Sequence, residues 1–104
     1  MSRHADVEAT ARDAAQAVLS ERQEVLSALR LEAKVEISRW LDGDRENAEI
    51  RISFWRGPAF VDVVEDFVIR DGQPTASPQE LREWLEESID EVLEASRSGL
   101  SREA

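Results

Sequence analysis

The chain has 104 residues, no cysteine and a formal net charge of −10. A chain of this length builds one core, so we expect a single domain over residues 1–104, with residues 1–5 and 101–104 frayed. The missing cysteines exclude disulfides and thiolate metal sites, and the acidic balance disfavours nucleic acid and anionic membranes as partners. Neither a signal peptide nor a membrane-length apolar run is recognisable, so a cytoplasmic location is expected.

The first predicted element is a helix from about Asp6 to Leu31. Apolar residues recur there at helical spacing on one stripe, and neither Gly nor Pro interrupts them. Arg22 lies within the stripe, where another apolar residue is expected.

The apolar period changes to two after this helix, which predicts three strands. Turn residues follow each strand, and short connections of this kind are typical of an antiparallel meander. We expect the strands at residues 34–41, 49–55 and 59–70, with turns at 42–47, Gly57-Pro58 and Asp71-Gly72.

The last predicted element is a helix over residues 78–98. Ser77 suits the N-cap position, Pro78 suits the first helical position, and Glu80 completes a capping box. Gly99 suits the left-handed residue that follows many helices, so the sequence predicts a stop there.

The element order α-β-β-β-α predicts an α+β fold, in which two amphipathic helices pack on a three-stranded antiparallel meander. This order is similar to that of secretion chaperones and bacterial immunity proteins, and the likeness implies a chaperone-like or immunity-like role. No residue motif accompanies it, so no functional residue is carried over. The expected core consists of Val18, Val25, Leu29, Val35, Ile37, Ile50, Ile52, Phe54, Val61, Val63, Leu81, Leu85, Ile89 and Val92.

The last helix is strongly acidic on the side opposite its apolar stripe, where Glu83, Glu87, Asp90 and Glu94 lie. Several of its carboxylates are like-charge neighbours at i,i+4, and each such pair is unfavourable by about 0.2–0.5 kcal/mol. Two interpretations stay open. The acids form either an ordinary solvated surface or a docking surface for a basic protein partner.

One face of the predicted sheet mixes aromatic and charged residues. A turn at Gly57-Pro58 places Trp55 opposite Phe60 and Arg51 opposite Val64, and Trp40 joins them on the same face. Aromatic residues and Arg are enriched at protein interfaces, so this face is a candidate contact with a second copy or another protein. Two alternatives remain: a helix covers this face, or a β-bulge exchanges the two faces.

Three charges interrupt the predicted core faces: Arg22, Arg39 and Glu65. They lie either at the rim of the core or paired with one another. An alternative function uses the same three residues as polar anchors of a pocket between the first helix and the sheet, in a small-ligand-binding domain or a small enzyme.

No catalytic, metal-binding or cofactor motif is recognisable. Asp62, Glu65 and Asp66 do not converge on one side of a strand, and His4 has no catalytic partner in sequence. The leading interpretation is therefore a non-catalytic, homodimeric protein-interaction module without cofactor or metal, which docks a basic protein through its acidic last helix.

Overall fold

The computed structural model describes residues 4–103, with side chains from residue 6 to residue 98. Of the predicted frayed ends, residues 1–3 and 104 lie outside the described residues, whereas 4–5 and 101–103 lie within described helices. Within the described residues the elements are α1 (His4–Glu21), α2 (Gln23–Ala28), β1 (Glu32–Asp42), β2 (Arg45–Arg56), β3 (Ala59–Arg70), β4 (Gln73–Pro74) and α3 (Pro78–Glu103). Helices pack on an antiparallel meander, which confirms the predicted α+β fold.

The N-terminal helix is not continuous, so the prediction of one helix to Leu31 is wrong at Arg22. The backbone of Arg22 has φ −110° and ψ 16°, outside the helical region. Helical hydrogen bonding resumes when the Leu26 N–H donates to the Arg22 carbonyl over 3.0 Å. At this break the Arg22 side chain is directed toward α3, where it donates a hydrogen bond to Asp90 over 3.0 Å.

The short α2 ends in a left-handed residue at Arg30, with φ 61°. The Leu31 N–H donates to the Leu26 carbonyl over 2.9 Å, and the Arg30 N–H donates to the Ser27 carbonyl over 3.1 Å. This pair of hydrogen bonds is the Schellman arrangement, which usually has Gly at the left-handed position. It reverses the chain into β1.

Two-residue turns join the first three strands. Gly43 and Gly57 each have positive φ, 68° and 60°, at the first turn position, where a side chain would be strained. The predicted turn at 42–47 shrinks to Gly43 and Asp44, because β1 extends to Asp42 and β2 begins at Arg45. A further turn at Asp71 and Gly72 leads into β4, a two-residue strand that the sequence did not predict.

The register between β2 and β3 corrects the predicted sheet faces. Trp55 does lie opposite Phe60, but the pairing shifts between Phe54 and Trp55. Beyond this bulge Val64 lies opposite Ile52 and is buried on the helix-covered face, so its predicted place opposite Arg51 is wrong. The extra residue exchanges the faces of β3 as far as Phe67, and a second register shift between Ala48 and Glu49 of β2 restores the original alternation at Ile69.

The core lies between the sheet and the helices. Ile50, Ile52 and Phe54 of β2 have no solvent exposure. The small side chains of Ala11 and Ala15 let α1 approach the other layers closely, while α3 packs on α1 and on β3. Most predicted core residues are buried, with Val25, Val35, Ile37 and Val61 half-buried at its edge.

The predicted N-terminal end of α3 is confirmed, whereas its predicted C-terminal end is wrong. The Glu80 N–H donates to Ser77 Oγ, and the Ser77 N–H donates to Glu80 Oε1, both over 3.2 Å. This confirms the predicted capping box. The predicted stop at Gly99 is wrong, because α3 continues to Glu103. Gly permits a helix to end but does not force it to end. Inside a helix, Gly is only about 1 kcal/mol less favourable than Ala, so the helix can continue through it.

Candidate functional site

The helices cover one face of the sheet, and we call the opposite face the open face. Alternate residues of β1, β2 and β3 project from it, and no described helix packs against it. Trp40, Trp55 and Phe60 are 41%, 36% and 55% exposed, respectively. Of the predicted contact residues, Trp40, Trp55, Phe60 and Arg51 belong to the open face and Val64 does not. Val63, predicted for the core, lies on the open face because of the bulge.

Two aromatic pairs lie at opposite ends of the open face. The Trp55 and Phe60 rings meet edge to face with centroids 5.5 Å apart. The Trp40 and Phe67 rings are tilted at 54°, with centroids 5.7 Å apart. The Arg70 guanidinium lies 4.9 Å from the centre of the Phe67 ring, a cation–π geometry.

A charged cluster separates the aromatic pairs. Arg51 Nε donates to Glu65 Oε2 over 2.9 Å, and the Arg51 guanidinium lies 3.8 Å from a Glu49 oxygen. Burial, and then the neighbouring Glu65 carboxylate, raise the pKa of Glu49. Two carboxylates therefore share one guanidinium, which leaves negative charge at the centre of the face.

A groove of about 450 Å³ lies on the open face. Trp55, Phe60 and Val63 supply its apolar lining, and the polar or charged lining residues are Lys34, Glu36, Arg51, Ser53 and Glu65. A ligand in this groove would therefore meet both aromatic and charged side chains.

The acidic side of α3 is only partly a free surface. Asp90 accepts hydrogen bonds from Arg22, and this contact lowers the pKa of Asp90. Glu83, Glu87 and Glu94 are exposed, which both interpretations, a solvated surface and a docking surface, predict. All four carboxylates are therefore exposed, but Asp90 also pairs with Arg22 of the N-terminal helices.

The three predicted polar anchors do not meet. Arg22 binds Asp90, Arg39 lies 3.3 Å from a Glu8 oxygen, and Glu65 belongs to the open face. Ala15 and Val18 fill the space between α1 and the other layers, with no solvent exposure. Among the described residues, these three charges therefore share no pocket.

Asp62 and Asp66 have a local structural role that the sequence reasoning missed. Each side chain accepts the N–H of the following residue, Val63 or Phe67, over 2.8 Å. No group of three or more potential metal ligands occurs in the described part of the chain. The His4 side chain lies outside that part.

Phe67 and Glu49 are also open-face residues that were not predicted from the sequence. Glu49 alternates with Arg51 in the sequence, so strand periodicity was a usable signal for it. Phe67 reaches the open face only through the β3 bulge, for which no local motif exists.

The chain matches no family model, no curated protein and no solved structure. None of the described helices combines the length and apolar character needed to cross a bilayer. A proposal about function therefore depends on the surfaces described above.

Proposed function

We propose that this protein is a non-catalytic protein-interaction module whose open face binds a basic, amphipathic helix of another protein. The observation that carries this proposal is the pair of exposed aromatic contacts on a face that no described helix covers. Exposed Trp and Phe contribute large apolar areas, and Trp is among the residues that dominate interface energies.

The spacing of the aromatic pairs supports a helical ligand. Trp40 lies opposite Asn47, eight residues before Trp55 along β2. At about 3.3 Å per residue, the two pairs are roughly 25 Å apart. A helix of about 17 residues spans this distance, and its apolar stripe can contact both pairs.

The charges of the open face support a basic ligand. Glu49 and Glu65 share Arg51, so an incoming Lys or Arg would meet a carboxylate with incomplete compensation. The position of Arg70 over Phe67 illustrates that these rings accept guanidinium groups. A net charge of −10 also attracts a basic partner at long range.

The exposed acids of α3 have an accessory part in this proposal. Glu83, Glu87 and Glu94 add negative potential that accelerates the encounter, whereas Asp90 already pairs with Arg22. The alternative of a small-ligand site or enzyme has less support, since Arg22, Arg39 and Glu65 lie apart.

A pair of designed helical peptides tests the proposal. One contains Leu on one face and Lys on the other, and the matched peptide replaces every Lys by Glu. Calorimetric titration of the intact protein should give saturable binding of the Lys peptide alone. The double variant Trp55→Ala/Phe60→Ala should bind it at least about tenfold more weakly, because it lacks an aromatic anchor.

Leu41→Ala is the matched control variant. Leu41 is 66% exposed but lies on the other face of β1, so its loss should leave the affinity unchanged. Equal binding of both peptides, or equal weakening by Leu41→Ala and the aromatic double variant, would refute the open face as the binding surface.

A further inference from the structure

The two edges of the sheet differ in how their backbone groups are occupied. On β3, the Asp62 and Asp66 side chains accept the N–H groups of the next residues, and Thr75 binds the carbonyls of Phe67 and Val68. On β1, the backbone hydrogen bonds within the described residues all go to β2. The β3 edge is thus occupied by side chains, by β4 and by the backbone of Thr75, whereas the described β1 edge has an unused row of donors and acceptors.

The apolar covering of the core is also incomplete at β1. Val35 and Ile37 are only half-buried, although their cross-strand neighbours Ile52 and Ile50 have no solvent exposure. The burial of side chains on the covered face therefore decreases from β2 to the edge strand β1. A further strand beside β1 would bury Val35 and Ile37 more fully and would use the free backbone groups.

We infer that β1 pairs with β1 of a second copy, antiparallel and with Val35 of each chain on the two-fold axis. In this register Lys34 lies opposite Glu36 of the second copy, and Glu36 lies opposite its Lys34. Ala33 lies opposite Ile37 in the same way. The sequence around Val35 is thus self-complementary in charge, which is what a two-fold contact requires.

The overall charge is compatible with this arrangement. The acidic α3 packs on α1 and β3, away from β1. Adjacent strands are about 4.8 Å apart, so β3 of each copy lies roughly 10 Å from the β1 edge. The two acidic helices are then separated by well over the Debye length of about 8 Å at physiological salt.

The edge contact leaves the open face free. Dimerisation through β1 is therefore separate from the binding of a helix that we propose for the open face. Two four-stranded sheets would join into one, with the two open faces side by side. In the face-to-face dimer expected from the sequence, by contrast, Trp55 and Phe60 would be hidden in the contact.

Single-cysteine variants distinguish the two arrangements, because the native chain has no cysteine. In Val35→Cys the two thiols face each other across the proposed axis, at a separation suited to a disulfide. In Ser53→Cys the thiol lies in the groove of the open face. Mild oxidation should give a covalent dimer of Val35→Cys, while Ser53→Cys should give no covalent dimer. The reverse result, or no covalent dimer of either variant, would overturn the inference.

Charge variants at the same contact give a second test, read by light scattering over a range of concentrations. Lys34→Glu places Glu opposite Glu, and Glu36→Lys places Lys opposite Lys, so each should weaken the dimer at least about tenfold. The double variant Lys34→Glu/Glu36→Lys restores opposite charges and should recover the dimer. Single variants without effect, a double variant as weak as either, or a wild-type monomer throughout would contradict the edge contact.

Discussion

Arg22, at the break between α1 and α2, donates hydrogen bonds to both carboxylate oxygens of Asp90 on α3. A second contact runs in the opposite sense, since Arg82 of α3 donates to Glu21 of α1 over 2.8 Å. Two arginines thus join the helices reciprocally. This explains why a charge interrupts the apolar stripe at Arg22, and why Asp90 is not part of a free acidic surface.

Asp90→Asn should destabilise the protein by about 0.5–1 kcal/mol at neutral pH. The effect is modest because the Asp90 side chain is 56% exposed and its ion pair is screened by solvent. Urea denaturation measures the difference. The control is Glu87→Gln, an exposed acid flanked by Glu83 and Glu91, which should be neutral or slightly stabilising.

The pH dependence of the Asp90→Asn effect has a defined direction. The hydrogen bond from Arg22 lowers the pKa of Asp90 below its ordinary value of 3.8. The stabilisation is therefore complete above that value and is lost as the pH falls through the lowered pKa. Equal stabilities of the Asp90→Asn and Glu87→Gln variants at neutral pH would contradict the assigned ion pair.

Ser77→Ala should destabilise the protein by about 1 kcal/mol, because the Glu80 N–H loses its N-cap acceptor. Thermal unfolding followed by circular dichroism measures this. Ser98→Ala, an exposed change far from the cap, should not lower the melting temperature, because Ala has a higher helix propensity than Ser. Equal shifts for the two variants would show that the capping box does not stabilise α3.

Arg30→Gly should stabilise the protein by about 0.5–1 kcal/mol, because Gly adopts positive φ without steric cost. Arg30 is exposed with φ 61°, and no described hydrogen bond uses its side chain. Arg30→Ala retains the Cβ atom and should give no gain. A stability gain in the Ala variant as large as in the Gly variant would exclude backbone strain as the cause.

Glu49→Gln should raise stability at neutral pH. Burial and the Glu65 carboxylate raise the pKa of Glu49 above its ordinary value of 4.5, so the folded state disfavours its charge. This penalty is absent at low pH and develops as the pH rises through the raised pKa, so the variant's advantage should disappear in acid. Denaturation at several pH values measures it. The exposed Glu91→Gln is the control, and an advantage of Glu49→Gln that persists in acid would argue against this origin.

Local signals in the sequence were sufficient for most of the secondary structure. The hairpin at Gly57-Pro58 and the box formed by Ser77 and Glu80 depend on residues within a few positions of each other. The alternation in β2 likewise assigned Ile50, Ile52 and Phe54 to the covered face. Short-range chemistry determines these features, so no tertiary information was needed.

The remaining features depend on contacts distant in sequence. The bulge in β3 moves Val64 into the core and Val63 out of it, and no local motif indicates such a bulge. The helix break at Arg22 is accompanied by a contact with Asp90, 68 residues away. The β3 residues of the open face follow from this bulge, which is why only part of the site was predictable.

The most direct test of the open face is a nuclear magnetic resonance titration of the tryptophan indole N–H signals. Trp40 and Trp55 lie on the open face, whereas Trp84 packs against the core on the helix side. Addition of the Leu/Lys peptide should shift the indole signals of Trp40 and Trp55 and leave that of Trp84 unchanged. A shift of Trp84 alone, or no shift at a saturating peptide concentration, would contradict the account.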